Sequence, residues 1–170
     1  MRREILTSVI QYIVLVFFQV LILDKISLFG IATPMIYVLF ILNLPMNTSR
    51  WLTLLASFFI GISIDIFSGQ TGIHSFSCTF IGFIRPYLLS MYSTGSIENA
   101  VQRPTLFYLG FSHYLSYSFV LVFVHHFLCF LISIFSFSEF FHTFLRLIVS
   151  VVATMIIILI TELIFFRSKD

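Results

Sequence analysis

The stretch Gly61-Ile62-Ser63-Ile64-Asp65-Ile66-Phe67-Ser68-Gly69-Gln70-Thr71-Gly72-Ile73-His74 joins two apolar runs of the chain. An aspartate stands near the end of the first run, and a turn-forming pair, Ser68-Gly69, follows it. A second glycine, Gly72, opens the next run. Ser57, Gly61 and Asp65 are spaced four apart, so they share one helical face. Small residues at that spacing let two helix backbones approach closely in lipid. Gly69 and Gly72 suit a backbone that turns sharply. The string therefore reads as two apolar runs joined by a turn, with a small-residue face on the first that suits close packing of another helix.

Composition sets the solvent. Of 170 residues, 59% are hydrophobic and 9% charged, with a formal net charge of +2. A folded surface in water needs roughly 25% charged residues. A soluble enzyme and a nucleic-acid-binding module are both excluded on this ground. Cys78 and Cys129 lie inside apolar runs and do not suggest a disulfide scaffold. The chain reads as an all-α integral membrane protein forming a single transmembrane domain over residues 1–170.

About 20 apolar residues cross a bilayer as a helix. Outward from the quoted stretch, the candidate spans are Ile5 to Leu23, Ile26 to Met46, Trp51 to Phe67, Ile73 to Ile84, Thr105 to Phe137 and Phe144 to Phe166. Gly30, Pro34 and Pro45 break the second, whose regular helix is expected only from Met35 to Leu44. Arg85-Pro86 interrupts the fourth, with a continuation to Tyr92, and the long fifth is a candidate for splitting. The most polar stretch, 93–104, holds Glu98, Asn99, Gln102 and Arg103. With six spans, Arg2, Arg3, Arg50, Arg85, Arg103, Arg167 and Lys169 fall on one side, against Lys25 and Arg146 on the other. The positive-inside rule then makes both termini cytoplasmic.

Few residues carry candidate chemistry. Asp65 lies 15 residues after Arg50, about 22 Å along a helix. At that depth an ionisable group needs partners, and an ion pair with Arg146 on the last span is one expectation. Capping of the break at Ser68-Gly69 is the other. Nucleophile-elbow, zincin and Walker A patterns are all missing. His125 and Cys129 lie four apart and can touch one metal, with His126 about 100° away. A single pair is weak evidence, so packed histidines and no metal, cofactor or catalytic residue are expected.

The string from Gly61 to His74 resembles the signature of the bacterial rod shape-determining MreD family, with its Gly-x-x-x-Asp helix end, Ser-Gly turn and second glycine. Thr33-Pro34-Met35 resembles that family's Pro-led second segment, and Arg85-Pro86-Tyr87 its Arg-Pro step after the fourth. Met35, where the family often has Asp, and Gln70-Thr71, in place of a small-Pro pair, depart from the pattern. The resemblance implies a bundle of about six helices like the S components of energy-coupling-factor transporters, with short or broken second and fourth helices. It also implies a non-enzymatic inner-membrane scaffold of cell elongation and lateral-wall peptidoglycan synthesis. The implied partners are MreC and, through it, MreB, RodA and a penicillin-binding transpeptidase. The alternative is a vitamin-binding S component. No constellation of polar pocket residues on several helices is evident in the sequence, which favours the scaffold. The face of Ser57, Gly61 and Asp65 is then expected to receive another helix, from within the chain or from MreC.

Overall fold

The computed structural model describes residues 2–25, 32–92, 103–133 and 140–165, with side chains from residue 5 and, in the last segment, from residue 143. The side chains of Arg2 and Arg3, and Gly30, Glu98, Asn99, Gln102, Arg167 and Lys169, lie outside these residues. The elements are α1 (Arg2–Phe18), extended by a π-helical turn over Gln19–Leu23, α2 (Val38–Leu42), α3 (Arg50–Ser68), α4 (Ile73–Tyr92), α5 (Leu106–Leu109), α6 (Phe111–Ser133) and α7 (Phe140–Phe165). Among the described residues there is no strand.

Four helical stretches are long and apolar enough to cross a membrane: Ile5–Leu23, Arg50–Ser68, Phe111–Ser133 and Thr143–Phe165. Their outward faces carry bare apolar side chains, among them Leu6, Val14, Trp51, Phe59, Phe127, Val152 and Ile160. Lipid is the solvent that such a surface fits. This is an all-helical membrane protein.

Local chemistry sets the element boundaries. Ser49 caps α3 by accepting from the Leu52 N–H at 3.4 Å. Gly69, at φ +66°, ends α3 in the left-handed region that glycine tolerates. The α4 helix continues through Pro86, as transmembrane helices can when neighbours satisfy the freed carbonyl. The fifth run is split at Gly110, whose φ of +80° no α-helix accommodates.

The second segment is the centre of the molecule. Its helix is shorter than expected, only Val38–Leu42. Residues 34–44 are nevertheless all buried. Irregular backbone in a membrane protein must have every polar group satisfied internally, and here side chains of the long helices do it. Gln19 accepts from the Ile36 N–H at 2.9 Å and donates to the Pro34 carbonyl at 3.0 Å. Ser150 and Thr154 of α7 accept from the N–H groups of Thr33 and Met35, each at 3.0 Å.

Contacts sort the helix ends. Arg103 donates to Ser8 and Gln11 near the start of α1. Glu162, near the end of α7, accepts from Asn43 at 2.6 Å and from the Leu106 N–H at 3.2 Å. Arg85 of α4 reaches the Leu44 carbonyl, and Arg50 lies 5.4 Å from the centre of the Tyr87 ring. The starts of α1 and α3 and the ends of α4 and α7 therefore gather together. At the other end, Ser68 donates to Asp24 at 3.1 Å.

Candidate functional site

The α3–α4 corner is built on Gly61, Asp65, Gly69, Gly72 and His74 of the opening string. The Asp65 carboxylate accepts from the His74 N–H (3.0 Å), the Ser75 N–H (2.9 Å) and the Ser75 hydroxyl (2.7 Å). A carboxylate at a helix N-terminus answers unpaired N–H groups and a favourable dipole together. Asp65 caps the next helix across the turn. The expected ion pair with Arg146 is not formed. Arg146 is exposed on α7, whereas the aspartate is buried against α4 and filled by these three donors.

The small face of α3 is covered by α4. A Cβ built on Gly61 would lie 2.6 Å from the His74 carbonyl oxygen and 2.7 Å from the Ser75 nitrogen. One built on Gly82 would lie 2.8 Å from the Ser57 Cβ. Two helices this close admit no third between them. Of the two expected occupants of the Ser57, Gly61 and Asp65 face, the one present is an internal helix; a partner's anchor has no room there. Ser68, Gly69 and Gly72 form the exposed turn, with Gly72 at φ +85°.

Arg85 and Pro86 were expected at a step in the chain, with Arg85 counted among the loop cations. Instead Arg85 is 1% exposed inside α4. It donates to Tyr117 Oη at 3.1 Å, to the Leu42 carbonyl at 3.4 Å and to the Leu44 carbonyl. Tyr117 in turn donates to the Leu42 carbonyl at 3.0 Å. The guanidinium thus satisfies the carbonyls that end α2, where helix geometry leaves them unpaired and partially negative.

Beside the corner lies a polar nest drawn from three segments. Tyr37 precedes α2, His74 and Cys78 belong to α4, and His125 and Cys129 to α6. The Tyr37 hydroxyl lies 2.8 Å from His74 Nδ1 and 3.3 Å from His125 Nε2. Cys129 Sγ lies 3.7 Å from His74 Nδ1 and 3.9 Å from His125 Nε2. Cys78 Sγ lies 3.6 Å from the same His125 nitrogen. One ligand atom from each of His74, His125 and Cys129 falls within 4.8 Å of the others. Both cysteines are free thiols. His126 faces away and contacts Thr154 at 3.1 Å.

This nest corrects two expectations: that no polar constellation spans several helices, and that His125-Cys129 stands without a second ligand pair. His74 and Cys78 are also four apart, so the chain holds His-x-x-x-Cys twice. That repeat was the available signal. Asp65 links corner and nest, because it holds the backbone of the residue whose imidazole enters the nest. Compared with protein-family models, curated proteins and solved structures, the chain matches none.

Proposed function

We propose that this protein is a non-enzymatic scaffold of the bacterial inner membrane, acting in cell elongation and lateral-wall peptidoglycan synthesis with MreC as its partner. The observation that carries the reading is the Gly61-to-His74 string. Its Gly61 and Asp65 serve one tightly packed corner, and Gly69 and Gly72 make the exposed turn that closes it, as an architectural motif would require. The described residues form no aqueous domain, so partners are met through membrane-embedded surfaces or short loops. MreC is expected on a surface other than the α4-covered face of α3. Six crossings with both termini cytoplasmic complete the proposal. The gathering of the α1 start, α3 start, α4 end and α7 end supports it, with the buried second segment as a broken crossing.

Deletion of the gene in its own rod-shaped host is the test. Rounding of cells, rescue by the wild-type chain and crosslinking to MreC are expected. Unchanged rods with no crosslinked MreC would reject the scaffold.

The nest of Tyr37, His74, His125 and Cys129 favours a second reading, a ligand-binding S component, because it places polar groups from several segments together. Recovery of a vitamin with the purified protein, and loss of its uptake on deletion, would select that reading.

A further inference from the structure

We propose that the nest between α4 and α6 binds one thiophilic d10 metal ion through His74 Nδ1, His125 Nε2 and Cys129 Sγ, with Cys78 drawn in by a side-chain movement as a fourth ligand when the ion is divalent. The site stands on its own geometry, whichever function the chain has.

Two helical turns supply the ligands. His74-x-x-x-Cys78 on α4 faces His125-x-x-x-Cys129 on α6, and each pair lies on one side of its helix. Metal–nitrogen bonds of about 2.0–2.1 Å and metal–sulfur bonds of about 2.3 Å hold ligands roughly 3.3–3.9 Å apart in tetrahedral or trigonal geometry. The observed sulfur–nitrogen separations of 3.7 Å (Cys129 to His74) and 3.9 Å (Cys129 to His125) fall in that interval. Cys78 Sγ is 3.6 Å from His125 but lies outside the set of ligand atoms within 4.8 Å of one another, so its side chain must move to complete a four-ligand site.

Ligand chemistry selects the ion. Thiolate and imidazole suit Zn(II) and Cu(I), whereas hard cations such as Ca(II) and Mg(II) need oxygen donors. Electrostatics narrows the choice further, because an unbalanced charge is costly in an apolar interior. Two thiolates neutralise Zn(II), and one thiolate neutralises Cu(I). Zn(II) therefore needs Cys78 as well as Cys129, whereas Cu(I) needs Cys129 alone. On binding, each ligating thiol releases its proton to water as the metal–sulfur bond forms.

The surroundings fit. The backbone N–H of His74 is fixed by Asp65, which anchors the helical turn that carries the ring. The Tyr37 hydroxyl can turn from the imidazoles to Met35 Sδ, 3.5 Å away. His74 is only half-buried beneath the exposed turn of residues 69–72, which gives the ion a way in.

The full chain, purified in detergent without metal, is to be titrated with Zn(II) chloride against a chromophoric chelator. A second titration uses Cu(I) acetonitrile complex, without oxygen, against bicinchoninate. About one ion per chain is expected, with sulfur scattering in the X-ray absorption spectrum. Cys129→Ser should weaken binding of both ions by more than about tenfold, since losing even an outer-shell partner of a ligand costs that much. Cys78→Ser should weaken Zn(II) alone, and His113→Ala neither. A wild-type chain that stays metal-free in both titrations overturns the proposal even if the variants misfold. So does a folded Cys129→Ser protein that binds as tightly as the wild type.

Discussion

Asp65 binds Ser75 twice, accepting from its backbone N–H at 2.9 Å and its hydroxyl at 2.7 Å, so one carboxylate oxygen ties the end of α3 to the first turn of α4. Both residues are buried, and the third donor, His74 N–H, occupies the other oxygen. Removing the carboxylate takes the acceptor from both backbone N–H groups and leaves the Ser75 hydroxyl only its bond to the Gly72 carbonyl at 3.2 Å.

Asp65→Ala should therefore lower stability by about 2 kcal/mol, the scale of a lost cap with stranded donors. Asp65→Asn, which keeps an acceptor, should cost less. Arg146→Gln, at an exposed position, should change stability by no more than about 0.5 kcal/mol. Thermal unfolding in detergent should show the two sites adding independently. A coupling energy above about 1 kcal/mol would restore the ion pair.

Helix contact at Gly61 and Gly82 predicts different outcomes for one added methyl group. At Gly61 the obstructing atoms are the backbone of His74 and Ser75, which no side-chain change can remove. Gly61→Ala and Gly61→Leu should both sharply reduce folded protein in the membrane. At Gly82 the nearest atoms belong to the Ser57 side chain. Gly82→Ala should be destabilising alone and be rescued by Ser57→Gly. Failure of that rescue would mean that the helices are not in contact through these two residues.

Arg85 should be irreplaceable by an apolar residue of similar length. Arg85→Met would strand the Leu44 carbonyl, leave the Leu42 carbonyl to Tyr117 alone and remove one hydrogen bond of Tyr117, an expected loss of about 2 kcal/mol or more. Arg85→Lys restores one donor group at most and should fall between. Yield of monodisperse protein and its unfolding midpoint report the order. Equal behaviour of Met and Arg would remove the clamp from the account.

Helix-scale features were legible because lipid forces them into composition and length. The runs ending at Leu23 and Phe67 read directly, and Ser68-Gly69 marked its turn by chemistry that only a break requires. Asp65 was legible as a residue needing partners. Which partners was not legible, since the donors belong to the next helix and the choice depends on how tightly the hairpin closes. The second segment was harder. The backbone leading into its helix is held by Gln19, Ser150 and Thr154, and the helix end at Leu42 by Arg85, residues as far as 119 positions away. Ser150, Thr154 and Glu162 do share one face of α7 at multiples of four, a polar stripe in an apolar helix. The nest was missed for another reason. His125-x-x-x-Cys129 drew notice alone, while its counterpart His74-x-x-x-Cys78 lay partly hidden at the end of the turn motif.

Topology can be tested on the same molecule without removing its native thiols, because Cys78 and Cys129 are both buried. Single cysteines placed at positions 2, 71 and 169 would each meet an impermeant maleimide only if they face its side of the membrane. With six crossings and a cytoplasmic amino terminus, Thr71→Cys in the exposed α3–α4 turn should label in intact spheroplasts. Arg2→Cys and Lys169→Cys should label only after the membrane is opened. Because the starts of α1 and α3 gather at one end, positions 2 and 71 must report opposite sides in any arrangement that keeps the fold. Labelling of position 2 from outside, with 71 protected, would invert the orientation while preserving the fold. Labelling of 2 and 169 from opposite sides would reject six crossings altogether.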